Sequence, residues 1–201
     1  MTEWDSDLSN AALLVWDMQP GIALKSFNLN EIVANIKNLI DVMHSKGRPV
    51  IFTQTTGLPY ELQSKYSIYR ARRRGTNPKS PPLLEGSPEW QLMSDFEPFD
   101  QDLVIKKYSP SLFVGTAAEQ FLRNKDVDCL IITGVSTEVG VETTARHASC
   151  LGFVPVIAQD AVGSGDKQLH EYSLAVMRVL FEVKTTSEIS QSIKNSRDTA
   201  R

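Results

Sequence analysis

Asp17, Lys107 and the stretch Gly134-Val-Ser-Thr-Glu-Val-Gly140 hold the residue types in this chain that could do chemistry. Asp17 follows the apolar run Leu13-Leu-Val-Trp16 directly. A carboxylate at the end of a buried strand is costly to desolvate unless it is used or paired. Burial raises its pKa toward the range where it serves as a general acid or base, although an aspartate there can also brace a loop or cap a helix. Lys107 closes the run Leu103-Val-Ile-Lys-Lys107. Beside a carboxylate it would stabilise the anion or hold negative charge developing in a transition state. Lys106 and Lys107 point to opposite faces, so one of them is expected to be a solvated charge. After the run Cys129–Thr133, Ser136 or Thr137 is suited to cap a helix. Backbone amides between Ser136 and Gly140 would then form an oxyanion or carboxylate site. Gly140 in the first turn costs about 1 kcal/mol relative to alanine. It either leaves room for a substrate or permits tight helix–strand packing.

The elements that position these residues read as short apolar strands alternating with helices. The strands are Ala12–Trp16, Pro49–Thr53, Leu103–Lys106, Cys129–Thr133 and Val154–Ala158, with a sixth at Val183–Ser187. Their apolar residues run consecutively, as in strands covered on both faces. Between them lies a helix over Asn30–Lys46, with Ile32, Ile36, Leu39, Ile40 and Met43 on one stripe and Gly47 and Pro49 ending it. Further helices are expected at Val114–Asn124, Val139–Leu151 and Lys167–Phe181. This order predicts a three-layer, doubly wound, mostly parallel six-stranded α/β sheet in one domain spanning 1–201. Chemistry in such sheets gathers beyond the carboxyl ends of the strands, where Asp17, Lys107 and Gly140 fall. The stretch 55–102 breaks the rhythm with six prolines and a basic run, as a lid, an interface or a mobile loop would. Lys194–Arg201 reads as a frayed tail.

The chain has 201 residues, 41% hydrophobic and 22% charged, with a formal net charge of -3. That balance argues against a nucleic-acid or membrane-surface role. No run approaches the roughly 18 apolar residues of a membrane span, and the acidic start Met1-Thr-Glu-Trp-Asp-Ser-Asp7 is no secretory signal. The two cysteines, Cys129 and Cys150, give neither a disulfide framework nor metal spacing. A cytoplasmic location fits these features.

Three ordered pieces now stand together: Leu-Leu-Val-Trp-Asp17-Met-Gln, Val-Ile-Lys-Lys107 followed by Ser111-Leu-Phe-Val-Gly-Thr116, and Gly-Val-Ser-Thr-Glu-Val-Gly140. In order and spacing they resemble the isochorismatase-like cysteine hydrolases from about Leu13 to Ala161, and Gln159-Asp-Ala-Val-Gly163 adds to the match. The resemblance implies that Asp17 is the acid/base and Lys107 its cationic partner. It implies a cis peptide between Val135 and Ser136, and it places Gly140 where amidase members carry the attacking thiol. Val135, Ser136, Thr137, Val139, Trp16 and Phe113 are the candidate substrate-binding residues. The resemblance further implies a homo-oligomer. Isochorismatases proper, which cleave a vinyl ether, lack the thiol and can carry glycine at this position. They typically have histidine where Trp16 stands and Gly-Val-Tyr-Ala-His where this chain has Gly134-Val-Ser-Thr-Glu138, so the local residues are closer to the amidase branch.

Cys129 and Cys150 both read as buried small apolar residues and do not replace the thiol. No histidine is placed by sequence to activate Ser136 or Thr137. His44, His147 and His170 read as scattered helix histidines, Gln54-Thr-Thr-Gly-Leu-Pro59 lacks an Asp-x-His pattern, and neither a metal nor another cofactor is expected. Tyr69-Arg-Ala-Arg-Arg-Arg74 reads first as a solvated loop, then as a subunit contact or an anion clamp. Trp16, Phe27, Tyr60, Trp90 and Phe113 are core residues or the lining of an apolar pocket. The expected function is a thiol-free hydrolase acting on a small organic acid, enol ether or amide-like molecule, with water as nucleophile. The alternatives are a disarmed small-molecule binding protein, an amidase whose nucleophile is a hydroxyl or a water, and a variant of an amidase whose native residue at position 140 is cysteine.

Overall fold

Side chains along the strand Ala11–Trp16 (β1) alternate between two cores, with Leu13 and Val15 in one and Ala12, Leu14 and Trp16 in the other. The computed structural model describes residues 8–196, and the same two-sided burial recurs in each central strand. Chain order runs from β1 to the short helix Pro20–Ala23 (α1), the long helix Leu29–Ser45 (α2), the strand Val50–Thr55 (β2) and the helix Lys65–Arg73 (α3). It continues through Leu103–Lys107 (β3), Ala118–Asn124 (α4), Cys129–Val135 (β4), a π-turn at Thr137–Val141 and Glu142–Cys150 (α5). Val154–Gly163 (β5), Lys167–Leu180 (α6), Glu182–Lys184 (β6) and Thr186–Asn195 (α7) complete it.

The six strands form one sheet in the order β3-β2-β1-β4-β5-β6, and every pairing is parallel. The strand order reverses between β1 and β4, which is where a doubly wound sheet opens a crevice at its carboxyl edge. The helix α2 closes one face with Ile32, Ile36, Leu39, Val42 and Met43, while Ile40 is only half-buried. Deleting one such buried side chain, as in Leu39→Ala, costs about 2–5 kcal/mol. Gly47, at φ 63°, ends α2 in the left-handed conformation that glycine adopts freely.

Several boundaries differ from the sequence reading. The segment expected to be helical from Val114 starts its helix only at Ala118, because Gly115 has φ 74° and the Thr116 hydroxyl donates to the Leu112 carbonyl. The strand β5 runs on through Gln159–Gly163, and β6 ends at Lys184. Thr185 then caps α7 in a reciprocal pairing with Glu188, a signature that marks a helix start at the expected strand end. Lys194 and Asn195 belong to α7, and 197–201 lie outside the described residues. Cys150 is exposed at the last position of α5, a correction to the buried reading.

Stretch 55–102 is not structureless. Tyr69–Arg73 sits on α3, which has no buried residue, with Arg74 as its C-cap. The later part is tied to the strand ends. The Gln19 amide donates to the carbonyls of Thr55 (3.1 Å) and Trp90 (2.6 Å), and the Gln54 amide also donates to Trp90 (3.1 Å). The Trp90 indole donates to Thr56 Oγ1 at 2.8 Å, and Met93 N–H donates to the Met18 carbonyl at 2.9 Å.

Candidate active site

Asp17 leaves β1 with φ 50°, a left-handed conformation that aspartate tolerates better than most side chains. Its backbone N–H donates to Thr53 Oγ1 at 3.0 Å, and the Thr53 hydroxyl donates back to Asp17 Oδ1 at 2.7 Å. Lys107 Nζ donates to Asp17 Oδ2 at 2.8 Å and to the Ser109 carbonyl at 3.2 Å. The lysine stands two strands from β1, a separation of about 9–10 Å, and its long stem crosses β2 to reach the carboxylate. Asp17 is 5% exposed and Lys107 1%. Lys106 has the opposite fate, exposed and paired with Glu85 at 2.8 Å, as strand alternation requires.

Burial drives the electrostatics of the pair. It pushes the Asp17 carboxyl above the usual range, opposed by Lys107 and by hydrogen bonds from Thr53 and the Thr55 backbone. It pushes the Lys107 ammonium below its usual range, opposed by Asp17. Desolvation is the largest influence on both, so both groups are biased toward their neutral forms. A carboxyl of this kind holds a proton at higher pH than a solvated one and can deliver it.

Trp16 is clamped between two glycines. A Cβ on Gly134 would lie 2.1 Å from the Trp16 carbonyl oxygen, and one on Gly140 would lie 2.0 Å from Trp16 Nε1. Real Cβ atoms do not approach so closely, so the indole fills the space that a side chain at 140 would need. Of the two roles open to Gly140, tight packing is the one observed. The Lys107 ammonium lies 3.8 Å from the centre of the same ring, a cation–π contact in a desolvated setting.

The turn after β4 differs from expectation. All described peptides are trans, including Val135–Ser136, and the chain turns instead through a left-handed conformation at Ser136 (φ 63°, ψ 58°). Ser136 makes no side-chain cap, and Thr137 lies within the π-turn. The Val139 and Gly140 amides both donate to the Ser136 carbonyl at 2.9 Å, which commits them to the turn. Val135 is buried at the end of β4, while Ser136 and Val139 are half-buried. Phe113 packs edge-on to His147 and stacks on Phe153.

Two histidine pairs escaped the sequence reading. His170 Nδ1 lies 2.9 Å from Thr137 Oγ1, which also donates to the Gly163 carbonyl at 3.0 Å. The hydroxyl has one proton and the carbonyl only accepts, so His170 Nδ1 is the donor and cannot activate Thr137 as a base. His147 Nδ1 lies 2.8 Å from the buried Ser111 hydroxyl, which also accepts the Phe113 N–H. No local spacing signals either pair, because each joins different elements. Thr53 was read only as a strand residue, and its contact with Asp17 likewise appears only in the assembled sheet.

Other groups stay apart from this site. Cys129 is buried in β4 and its thiol is pushed up to about 12 by burial. Among the described residues no group of histidine, cysteine, aspartate or glutamate is placed to hold a metal ion, and no helix is long and apolar enough to cross a membrane. A cavity of about 720 Å³ opens at the opposite, amino end of the sheet, near Ala11, Pro49 and Leu103. It shares no residue with the Asp17 site.

The sheet is doubly wound and parallel, with a buried Asp–Lys pair beyond its strand ends. A cysteine hydrolase from Pseudomonas syringae pv. phaseolicola 1448A has this fold, with a TM-score of 0.84 over 98% of both chains at 22% identity. The isochorismatase domain model matches residues 11–189, and the chain belongs to the isochorismatase family of hydrolases. It is 30% identical to the isochorismatase of Bacillus subtilis (strain 168) over 94% of this chain and 60% of that protein. It is 29% identical to the N-carbamoylsarcosine amidase of Arthrobacter sp over 92% of this chain and 68% of that one.

Proposed function

We propose that this protein hydrolyses a small organic molecule without a covalent nucleophile, with Asp17 as acid/base, Lys107 as its cationic partner and water as the attacking group. The observation that carries this reading is the Trp16 indole standing against Gly140, which leaves no room for a thiol or hydroxyl at that position. The family holds both an isochorismatase and an amidase at nearly equal identity to this chain, so similarity alone does not choose between them. The raised pKa of Asp17 favours an enol-ether substrate. Cleavage would begin with proton transfer from the Asp17 carboxyl to the enol carbon. Water then adds to the oxocarbenium carbon, and the resulting hemiketal collapses to a ketone and an alcohol, with a proton returned to Asp17. Lys107 would hold the Asp17 carboxylate once its proton has gone. Small organic acids bearing an enol ether fit first and amide-like molecules second.

The test is turnover of a panel of vinyl ethers, isochorismate included, and of small amides and ureides in ¹⁸O-water, followed by mass spectrometry of products and intact protein. The reading expects ¹⁸O in the product of a vinyl ether, no covalent adduct, and loss of turnover in a folded Asp17→Asn protein. An acyl adduct on the chain, or full turnover by Asp17→Asn, overturns it. If neither substrate class turns over, the binding-protein alternative takes its place.

A further inference from the structure

The formal net charge of -3, which argues against a nucleic-acid partner for the chain as a whole, is the sum of two unlike parts. Residues 62–84 hold six lysines and arginines and no acidic residue, so the rest of the chain carries -9. Five of the six cations, Lys65, Arg70, Arg72, Arg73 and Arg74, lie on α3 or at its C-cap. None of the five has an ion pair among the described residues.

The helix α3 buries no side chain and leans on the protein through Ile68 and Ala71, which are half-buried. On the opposite side Tyr66, Tyr69, Arg70 and Arg73 follow one another at helical spacing. Tyr66 is 67% exposed and Tyr69 56%, while Arg73 is exposed and Arg70 half-buried. Neither tyrosine ring has a stacking partner or a cation over it among the described residues. Cations near a helix C-terminus offset its dipole, but that effect asks nothing of two bare rings set between them.

This face offers guanidinium forks, which take phosphate bidentately, beside open aromatic faces. Single-stranded nucleic acid carries the complement of both, phosphates for the arginines and unstacked bases for the rings. An acidic peptide would use the arginines and leave the rings idle, and a duplex keeps its base faces within the stack. A lipid surface would call for aliphatic side chains, and this face has none. The charge of -9 elsewhere repels phosphates and confines the contact to α3.

We propose that the outer face of α3 binds single-stranded nucleic acid, with Arg70 and Arg73 on phosphates and Tyr66 and Tyr69 stacked on bases. The helix is about 14 Å long, so a few nucleotides cover it and the contact is weak. The inference stands apart from the reaction at Asp17 and survives if that reading fails.

Fluorescence anisotropy of a labelled oligothymidylate of about 16 nucleotides, titrated with the full chain at several salt concentrations, tests it. Affinity is expected to fall as salt rises, and Arg70→Gln with Arg73→Gln should make the slope of log affinity against log salt shallower by about 1.4. Tyr66→Ala with Tyr69→Ala should weaken binding by about tenfold or more at every salt concentration and leave the slope unchanged. Tyr66→Phe with Tyr69→Phe should keep wild-type affinity, since the ring remains. Circular dichroism verifies folding, and Tyr69→Ala alone replaces the double alanine variant if that protein does not fold. Absence of binding at low salt, or tyrosine variants that bind as wild type, overturns the proposal. So does an equal affinity for duplex DNA, polyglutamate or phosphatidylserine vesicles at matched charge, because charge alone would then account for the contact.

Discussion

The Trp16 indole stands against Gly140 so closely that a Cβ there would fall 2.0 Å from Nε1. The same tryptophan presents its backbone to Gly134 and its ring face to the Lys107 ammonium. One side chain thereby contacts the cation and denies position 140 any substituent. The bare backbone at 140 is thus part of a packing arrangement, and a thiol cannot be added without moving the indole.

Gly140→Cys is accordingly expected to destabilise the protein by about 1–3 kcal/mol through overpacking, and to gain no amidase activity. Chemical denaturation measures the first and an amide panel the second. Trp16→Ala in the same chain should recover part of the loss, so the two changes couple in a double-mutant cycle. A Gly140→Cys protein as stable as wild type would contradict the packing account.

The Asp17–Lys107 pair has a defined pH signature. Folding raises the Asp17 pKa, so the native state holds that proton more tightly, and stability falls as pH rises from the ordinary carboxylate value through the raised one. Folding lowers the Lys107 pKa, so stability is regained as pH rises from that lowered value toward the ordinary lysine value. The pair therefore costs stability at intermediate pH. Asp17→Asn with Lys107→Met is expected to be as stable as wild type or more so at neutral pH, while Lys107→Met alone should lose about 3–5 kcal/mol at high pH. Urea unfolding at several pH values checks both, and a double variant much weaker than wild type would reject this assignment.

Thr53 is expected to tune Asp17. Its hydroxyl donates to Oδ1 at 2.7 Å and lowers the carboxyl pKa. Thr53→Val should move the Asp17-dependent limb of the rate profile to higher pH and cost about 1–3 kcal/mol from the unpaired buried groups. An unmoved profile in a folded Thr53→Val protein would remove Thr53 from the site.

Thr137→Val separates structure from nucleophilic chemistry. The change deprives the Gly163 carbonyl and His170 of their shared partner, at about 1–3 kcal/mol. Turnover at a temperature where the variant is folded should stay near wild type. Its abolition would revive a hydroxyl nucleophile at 137.

The strands, the main helices and the positions of Asp17, Lys107 and Gly140 at strand ends were legible because burial periodicity is a local property. A consecutive apolar run such as Leu13-Leu-Val already states that both faces of its strand are covered. The alternation of Lys106 and Lys107 implied that one of the two is solvated, and the structure shows it to be Lys106. Helix α7 was missed although its Thr185–Glu188 capping pair is visible, because Val183–Ser187 was read as a strand. The partners of the site residues were not legible. Whether Trp16 meets Gly140, Thr53 meets Asp17 or His170 meets Thr137 depends on strand order, register and the angle at which each helix returns to the sheet. Those are set by packing between distant segments: Trp16 reaches Gly140 only because β1 lies beside β4 with Trp16 opposite Gly134. Local pattern determined which residues are buried, and tertiary structure alone decided what each of them touches.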